Sequence, residues 1–339
     1  MKKKTVASTI LVALFIAAGV GIFARGGGNT VVVYVSHDQV FSEPILKDFE
    51  KDTGIKVKAV FDTEETKSAG AMNRLIAEKD NPQADVYWAN EPIRAEVLRQ
   101  KGVSTPYVSP NAEGIPDIFR DPSGFWTGFS ARARMLVVDK TMKDKPTSFF
   151  AYVDPQWAGK AVIAHPLFGT TTAQIAAIFS TLGDTRAKTL MEQMRKNGVH
   201  ISSSNGDSAD LVATGVYKFS MVDSDDVASR VKQGRAVEGI YPDQQEGGLG
   251  CFIVPNAVVL IKGSRHAEQG KKLIDYLLSK ETEKKLAFSD AAQIPLHVGV
   301  ETPSNVPHID TLKVMKVNYA EVAAKMQAIQ PFLKDWVGN

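Results

Sequence analysis

Cysteine is almost missing from this chain: Cys251 stands alone among 339 residues. A single thiol closes no internal disulfide, and a chain of this size buries enough core to need none. Cys251 follows a glycine-rich stretch and reads as a small buried hydrophobe. Beyond residue 24 there is no apolar run long enough to span a membrane. A dominant charge is lacking as well. The formal net charge is +2, and Lys2, Lys3, Lys4 and Arg25 more than account for it. The remainder is near neutral, so no nucleic-acid partner is expected. The sequence also has no G-x-S-x-G elbow, no H-E-x-x-H, no P-loop, no G-x-G-x-x-G turn and no Cys/His metal spacing. Catalysis and a resident cofactor are therefore not expected.

What is present begins with an export-like N-terminus. Lys2–Lys4 precede an uncharged run, Thr5 to Ala24, which Arg25 and Gly26–Gly28 close. A cationic start, an apolar run and a small-residue exit read as a secretion signal. At ~1.5 Å per residue the run is also long enough to cross a bilayer. Residues 1–29 are expected to be a signal peptide or, if uncut, an anchor through residues 5–24. Either places the protein in the periplasm. The remaining 300-odd residues exceed what one core usually serves, so two domains are expected.

The next segments alternate between strand and helix patterns. Val31–Val35 is a β-branched run; Phe41, Ile45, Leu46 and Phe49 then repeat at helical spacing up to Gly54. Ile55–Phe61 and Ala84–Trp88 read as further strands, and Ala69–Glu78 and Ile93–Lys101 as helices. This order predicts a parallel sheet covered on both faces. Gly124–Asp139 is long, aromatic and β-branched, an extended segment passing between lobes. Strands are expected at Lys160–Ala164, Phe219–Val222, Val237–Tyr241, Cys251–Val254 and Ala257–Ile261. Helices are expected at Ala173–Leu182, Ala187–Asn197, Ala267–Leu278 and along the tail from Asp310 to Val337.

Several stretches resemble the periplasmic solute-binding proteins of ABC importers, in the branch that includes ferric-ion, phosphorylated-sugar and phosphonate binders. They are VVVYVSHDQVFSEPILKDFEKDTGIKVKAVF, ADVYWANEP, GFSARARMLVVDK, DPQWAGKAVIAHPLFGTTTAQ and YPDQQEGGLGCFIVPNAVVLIKGSRHAEQGKKLIDYLLS, followed by QIPLHVGV. Their order and spacing cover nearly all of the chain after Thr30. The resemblance implies a type II periplasmic-binding fold: two doubly wound α/β lobes joined by crossing strands, with the ligand cleft between them. Residues 30–130 plus about 252–300 would form the N-terminal lobe. About 131–251 plus 301–339 would form the other. It also implies a monomer that closes on a small ligand and delivers it to an ABC permease in the inner membrane.

Ligands of open α/β sheets sit at strand carboxyl ends, beside helix N-termini. Candidate residues there are Ser36 and His37 after the first strand, and Asn90 and Glu91 after the third. In the second half they are Thr170, Thr171 and Thr172 at the head of a helix, and Asp225 and Asp226 beside Asp223 and Ser224. Arg132 and Arg134 alternate with alanines and point to one face, adding a cation. Each has a plainer reading. His37 could sit at a helix start with no ligand. Asn90, Glu91, the threonines, Asp223 or Ser224 could be helix caps. The arginines could serve lobe–lobe structure through buried carboxylates, and Trp88 and Trp126 the core.

Ligand identity stays open, an apolar ligand included, and two classes lead. Ferric relatives use adjacent tyrosines, hard oxygen donors, where this chain has Asp225 and Asp226, and no adjacent tyrosines occur anywhere in it. If the cargo is ferric ion, His37, Asp225 and Asp226 would be its ligands. The favoured reading is a phosphorylated or otherwise anionic organic molecule. Ser36 and the threonines would hold the anion, and the two aspartates a hydroxyl or amine. A membrane-tethered sensory module is the third reading.

Overall fold

The computed structural model describes residues 29–62 and 69–338. The expected export segment, with its apolar run Thr5–Ala24, lies outside the described residues. Among those described, no helix is long and apolar enough to cross a membrane.

The first half runs β1 (Thr30–Val35), α1 (Gln39–Thr53), β2 (Lys56–Phe61), α2 (Ala69–Ala77), β3 (Val86–Ala89), α3 (Pro92–Gln100), β4 (Ser104–Thr105) and β5 (Thr127–Asp139). Next come β6 (Ala161–Ala164), α4 (Gly169–Leu182), α5 (Asp184–Lys196), β7 (His200–Ser202), α6 (Asn205–Ala213), β8 (Phe219–Asp223), α7 (Ser224–Lys232) and β9 (Val237–Ile240). The chain ends with β10 (Ile253–Ile261), α8 (Ala267–Leu277), α9 (Lys280–Phe288), α10 (Tyr319–Ala328) and α11 (Gln330–Gly338).

The strands form two α/β units that share one strand. In the first, β1 lies parallel between β2 and β3, and β10 runs antiparallel beside β3. In the second, β8 and β7 flank β6 in parallel. The 13-residue β5 belongs to both. Residues 127–133 pair with β10, and residues 134–139 pair with β8 and β9. The change of partner falls between Ala133 and Arg134, inside the extended segment that the sequence placed between lobes. The continuous apolar runs of β1, β3 and β10 are buried, as strands covered on both faces must be.

Two expectations are corrected. Cys251–Val254 and Ala257–Ile261 are not separate strands, because β10 runs unbroken through Pro255. A proline is tolerated there because the register shifts between Pro255 and Asn256, and a bulge spares a ladder donor. The tail becomes α-helical only at Tyr319, after a single 3-10 turn at Ile309–Thr311. Val314 is held in a bridge to Cys251, and the Asn318 side chain caps α10 by accepting from the Ala320 and Glu321 amides. Two short helices escape a periodicity reading. Both carry hydroxyl caps: Ser204 accepts from Asp207 N at the head of α6, and Ser279 from Thr282 N at the head of α9. The tail contacts both units. Helix α10 packs on α4 and α3, and Trp336 donates to Met191 O at 2.8 Å.

The bulge in β5 is a local strain point. Ser130 takes φ +37° with no glycine to ease it, is fully buried, and leaves its own Oγ unpaired. The conformation is held from outside: Ser130 N donates to buried Glu283 at 2.8 Å, and Ala131 and Ile294 exchange backbone hydrogen bonds at 2.7 Å. Ser130→Gly removes both the steric cost and the unpaired hydroxyl, at the expense of chain entropy. It is expected to leave stability unchanged or raise it by up to about 1 kcal/mol in urea unfolding, whereas Ser130→Val lowers it. A loss on Ser130→Gly would show that the backbone there is unstrained.

Candidate functional site

A cavity of about 870 Å³ opens where the carboxyl ends of strands from both units meet. The first unit supplies Asp38 beyond β1, Asn90 beyond β3, Arg94 on α3 and Ala69 at the head of α2. The second supplies the turn Leu167–Thr170 with Thr172, the turn Ser204–Gly206, and Asp223, Asp225 and Asp226. Arg132 projects from β5, and Met326 and Gln330 reach in from the tail helices.

Arg134 organises the floor. Its guanidinium is 0 % exposed. It ion-pairs with Asp223 at 3.0 Å and donates to Asn205 Oδ1, Gln174 Oε1, Thr170 Oγ1 and Met221 O at 2.9–3.1 Å, and to Thr171 Oγ1 at 3.3 Å. Thr170 in turn donates to Asp223 at 2.8 Å. Arg134 therefore fixes the heads of α4, α6 and α7; all these partners belong to the second unit, so its role is packing within one unit and not the lobe–lobe role weighed in the sequence. Arg132 faces the opening. It donates to Asn90 O at 2.7 Å and lies 3.4 Å from Asp223. Burial works against its charge, but Asp223, Asp225, Glu91 and Asp38 outweigh that and raise its pKa.

The cap readings of the sequence hold in position for Glu91 and Asp223, but not in hydrogen bonding, and not for the threonines. The N-cap positions of α3, α4 and α7 are Glu91, Phe168 and Asp223, and none makes a side-chain cap hydrogen bond. The threonines lie inside the first turns of α4, not before it. Thr170 and Thr171 are spent on Arg134 and its neighbours, while Thr172 lines the cavity and, only 2 % exposed, buries a hydroxyl that has no protein partner.

Of the residues proposed from sequence, the structure brings Asn90, Arg132, Thr170, Thr172, Asp225 and Asp226 to the cavity. Four others sit in the wall behind it. Ser36 bonds to Asp62 and Tyr87 at 2.7 and 2.8 Å. His37 stacks on Trp88, their ring centroids 5.5 Å apart. Glu91 pairs with Arg94 at 3.0 Å, and Thr171 contacts Arg134 and Asn205. For a ferric cargo the metal set considered from the sequence is His37, Asp225 and Asp226; among the described residues the carboxylates that gather are Asp223, Asp225 and Asp226, with ligand oxygens within 4.8 Å of one another. Trp88 and Trp126 belong to the core.

The acidic pair is electrostatically frustrated. Burial lifts Asp225 to about 6, with Arg132 opposing and Asp223 and Asp38 adding. Burial, then Asp225 and Asp223, lift Asp226 to about 8, with Arg230 opposing. Near neutral pH the two carboxyls thus share one proton. Asp223 moves the other way: burial would raise it, but Arg134 and Arg132 hold it below the ordinary carboxylate range.

Two expectations follow. Arg134→Met strands a buried Asp223 and should cost about 3–5 kcal/mol in denaturant unfolding, with Asp223→Asn in the same chain recovering part of the loss. A cost under about 1 kcal/mol would remove Arg134 from its central place. For Asp226 the folded pKa lies above the unfolded one, so ionisation penalises folding as pH rises. The penalty is absent below about pH 4 and complete above about 8. Asp226→Asn should therefore raise Tm at alkaline pH and not at pH near 4, by on the order of 1 kcal/mol because the side chain is 22 % exposed to screening water. An equal effect at both ends of the pH range would refute the shared proton.

The profile described as bacterial extracellular solute-binding protein matches residues 45–307. The chain is similar to Iron uptake protein A1 of Synechocystis sp., 24 % identical over 85 % of this chain and 81 % of that one. It is equally similar to a putative 2-aminoethylphosphonate-binding periplasmic protein of Salmonella typhimurium, 24 % identical over 85 % and 80 %. Its fold matches the crystal structure of Pasteurella haemolytica apo ferric ion-binding protein A at a TM-score of 0.80, with 23 % identity over 91 % of this chain and 98 % of that one. That is the periplasmic-binding fold expected from the sequence. The chain belongs to the bacterial extracellular solute-binding protein family.

Proposed function

We propose that this protein captures a small organic molecule bearing a phosphate- or phosphonate-type anion, and hands it in the periplasm to an ABC permease. The observation that carries this reading is Thr172. Thr172 lines the cavity in the first turns of α4, a helix whose N-terminus no side chain caps, and its buried hydroxyl has no protein partner. Helix N-termini present N–H groups and partial positive charge to an anion. Arg132 and Arg94 line the same cavity and add full charges. Asp225 and Asp226 supply acceptors for hydroxyls or an amine elsewhere in the same molecule. A likeness to a protein named for an aminoalkyl phosphonate agrees with a cleft of both signs. Binding without turnover is part of this reading, since a ligand trap needs no acid–base pair across its substrate, and so is action as a monomer.

A second reading, ferric capture, is favoured by the Asp223, Asp225 and Asp226 cluster and by the iron-uptake relative. Against it, Asp223 already answers two guanidinium groups, and a trivalent cation would have to compete with Arg132 for it.

A thermal-shift screen with sugar phosphates, 2-aminoethylphosphonate, inorganic phosphate and ferric citrate separates the readings. A ligand at about a hundred times its Kd stabilises by about 2.7 kcal/mol, several degrees in Tm. Thr172→Val should leave the free protein as stable as before, since the hydroxyl is unpaired, and weaken the anionic ligand by about 1.5–3 kcal/mol. A shift with ferric citrate alone, or undiminished anion binding by Thr172→Val, would defeat the phosphate reading.

A further inference from the structure

We infer that Phe168 is a specificity-determining residue that selects ligands with a carbon skeleton beside the anionic group. The inference rests on the anion reading of the cleft and narrows its ligand class.

Phe168 lines the cavity yet is 66 % exposed, the most exposed of the aromatic side chains described. Nothing in the core claims it. Its ring leans on His165, with centroids 4.8 Å apart and planes 37° apart, and the following Gly169 takes φ +58°, turning the chain into α4. An aromatic ring held out of the core at a cavity mouth keeps a large apolar face in water until something covers it. Leu167 and Met326 lie on the same cavity, so the ring is part of an apolar portion of a lining that is elsewhere charged.

Its place along the chain fixes what must cover it. Phe168 precedes Thr172 by four residues, about 6 Å along the axis of α4 at 1.5 Å per residue. An anion seated at Thr172 puts the next few atoms of the same molecule within reach of the ring. Bare phosphate or a metal ion has no atoms to place there. A sugar ring offers a C–H face, and an alkyl phosphonate offers methylenes.

Titration calorimetry on the full chain and on Phe168→Ala, with glucose 6-phosphate, 2-aminoethylphosphonate and inorganic phosphate, tests this. The expected result is that the parent protein binds at least one organic anion about tenfold or more tighter than inorganic phosphate, and that Phe168→Ala shrinks the gap to about threefold while inorganic phosphate is unaffected. Phe168→Leu should restore part of it. An unchanged Tm of Phe168→Ala checks that the fold is intact. If the parent binds the organic anions and Phe168→Ala binds them equally well, this inference falls and the anion reading stands. If the parent binds neither organic anion, both fall.

Discussion

A guanidinium sealed from water must have its N–H groups answered by protein, and Arg134 meets that demand with Asp223, Asn205, Gln174, Thr170, Thr171 and Met221 O. The remaining geometry follows from this obligation. These partners come from β8 and from the heads of α4, α6 and α7, segments far apart in sequence. Satisfying one buried cation therefore pins three helix N-termini around one point. Burying a charge on this scale is costly unless every partner is in place, so the arrangement tolerates little slack. The same demand explains why the hydroxyls of Thr170 and Thr171 are spent inside the protein. Thr172 lies outside the network, and its buried hydroxyl is left without a protein partner.

Much of the fold could be read from the sequence. The β-branched runs of β1, β3 and β10, the helical spacing of α1, and glycines such as Gly54, found in the left-handed region at φ +69°, mark elements by local chemistry alone. The site was legible only in part, for physical reasons. Strand β1 ends at Val35, so strand alternation does not dictate where Ser36, His37 and Asp38 point. Only Asp38 lines the cavity, while Ser36 bonds to Tyr87 and His37 stacks on Trp88. Asp225 and Asp226 could be found because two further acids exceed what a helix start requires. Asn205, Met326 and Gln330 carried no local signal. The tail helices reach the cavity through packing of α10 on α4 and α3, which only the tertiary fold sets.

The charges of the cleft form one balance. Asp223 is matched by two arginines and stays ionised. Asp226, further along α7, has Arg230 at 3.6 Å, and Asp225 has the charge of Arg132; near neutral pH the two carboxyls together carry about one proton. Their positions in the first turn of α7 favour ionisation through the helix dipole, an effect worth at most about 2 kcal/mol. Burial and mutual repulsion outweigh it here. A cleft poised in this way is primed for a group that brings its own hydrogen-bond donors. An ammonium or a pair of hydroxyls relieves the repulsion that the protein alone does not.

Strand β5 ties this balance to any motion of the two units. In one stretch it carries the strained Ser130, anchored by Glu283 in the first unit, then Arg132 at the cleft, then Arg134 in the core of the second. A rotation of one unit against the other has to be absorbed near the change of partner between Ala133 and Arg134. Arg132 sits next to that point, with one nitrogen on Asn90 O of the first unit and another 3.4 Å from Asp223 of the second. Opening or closing the cleft must alter at least one of these contacts. Since Asp223, Asp225, Glu91 and Asp38 all act on the Arg132 charge, the electrostatics of the cleft cannot be separated from its degree of closure. A ligand that replaces the lost contact of Arg132 then favours one arrangement over the other through differential affinity alone.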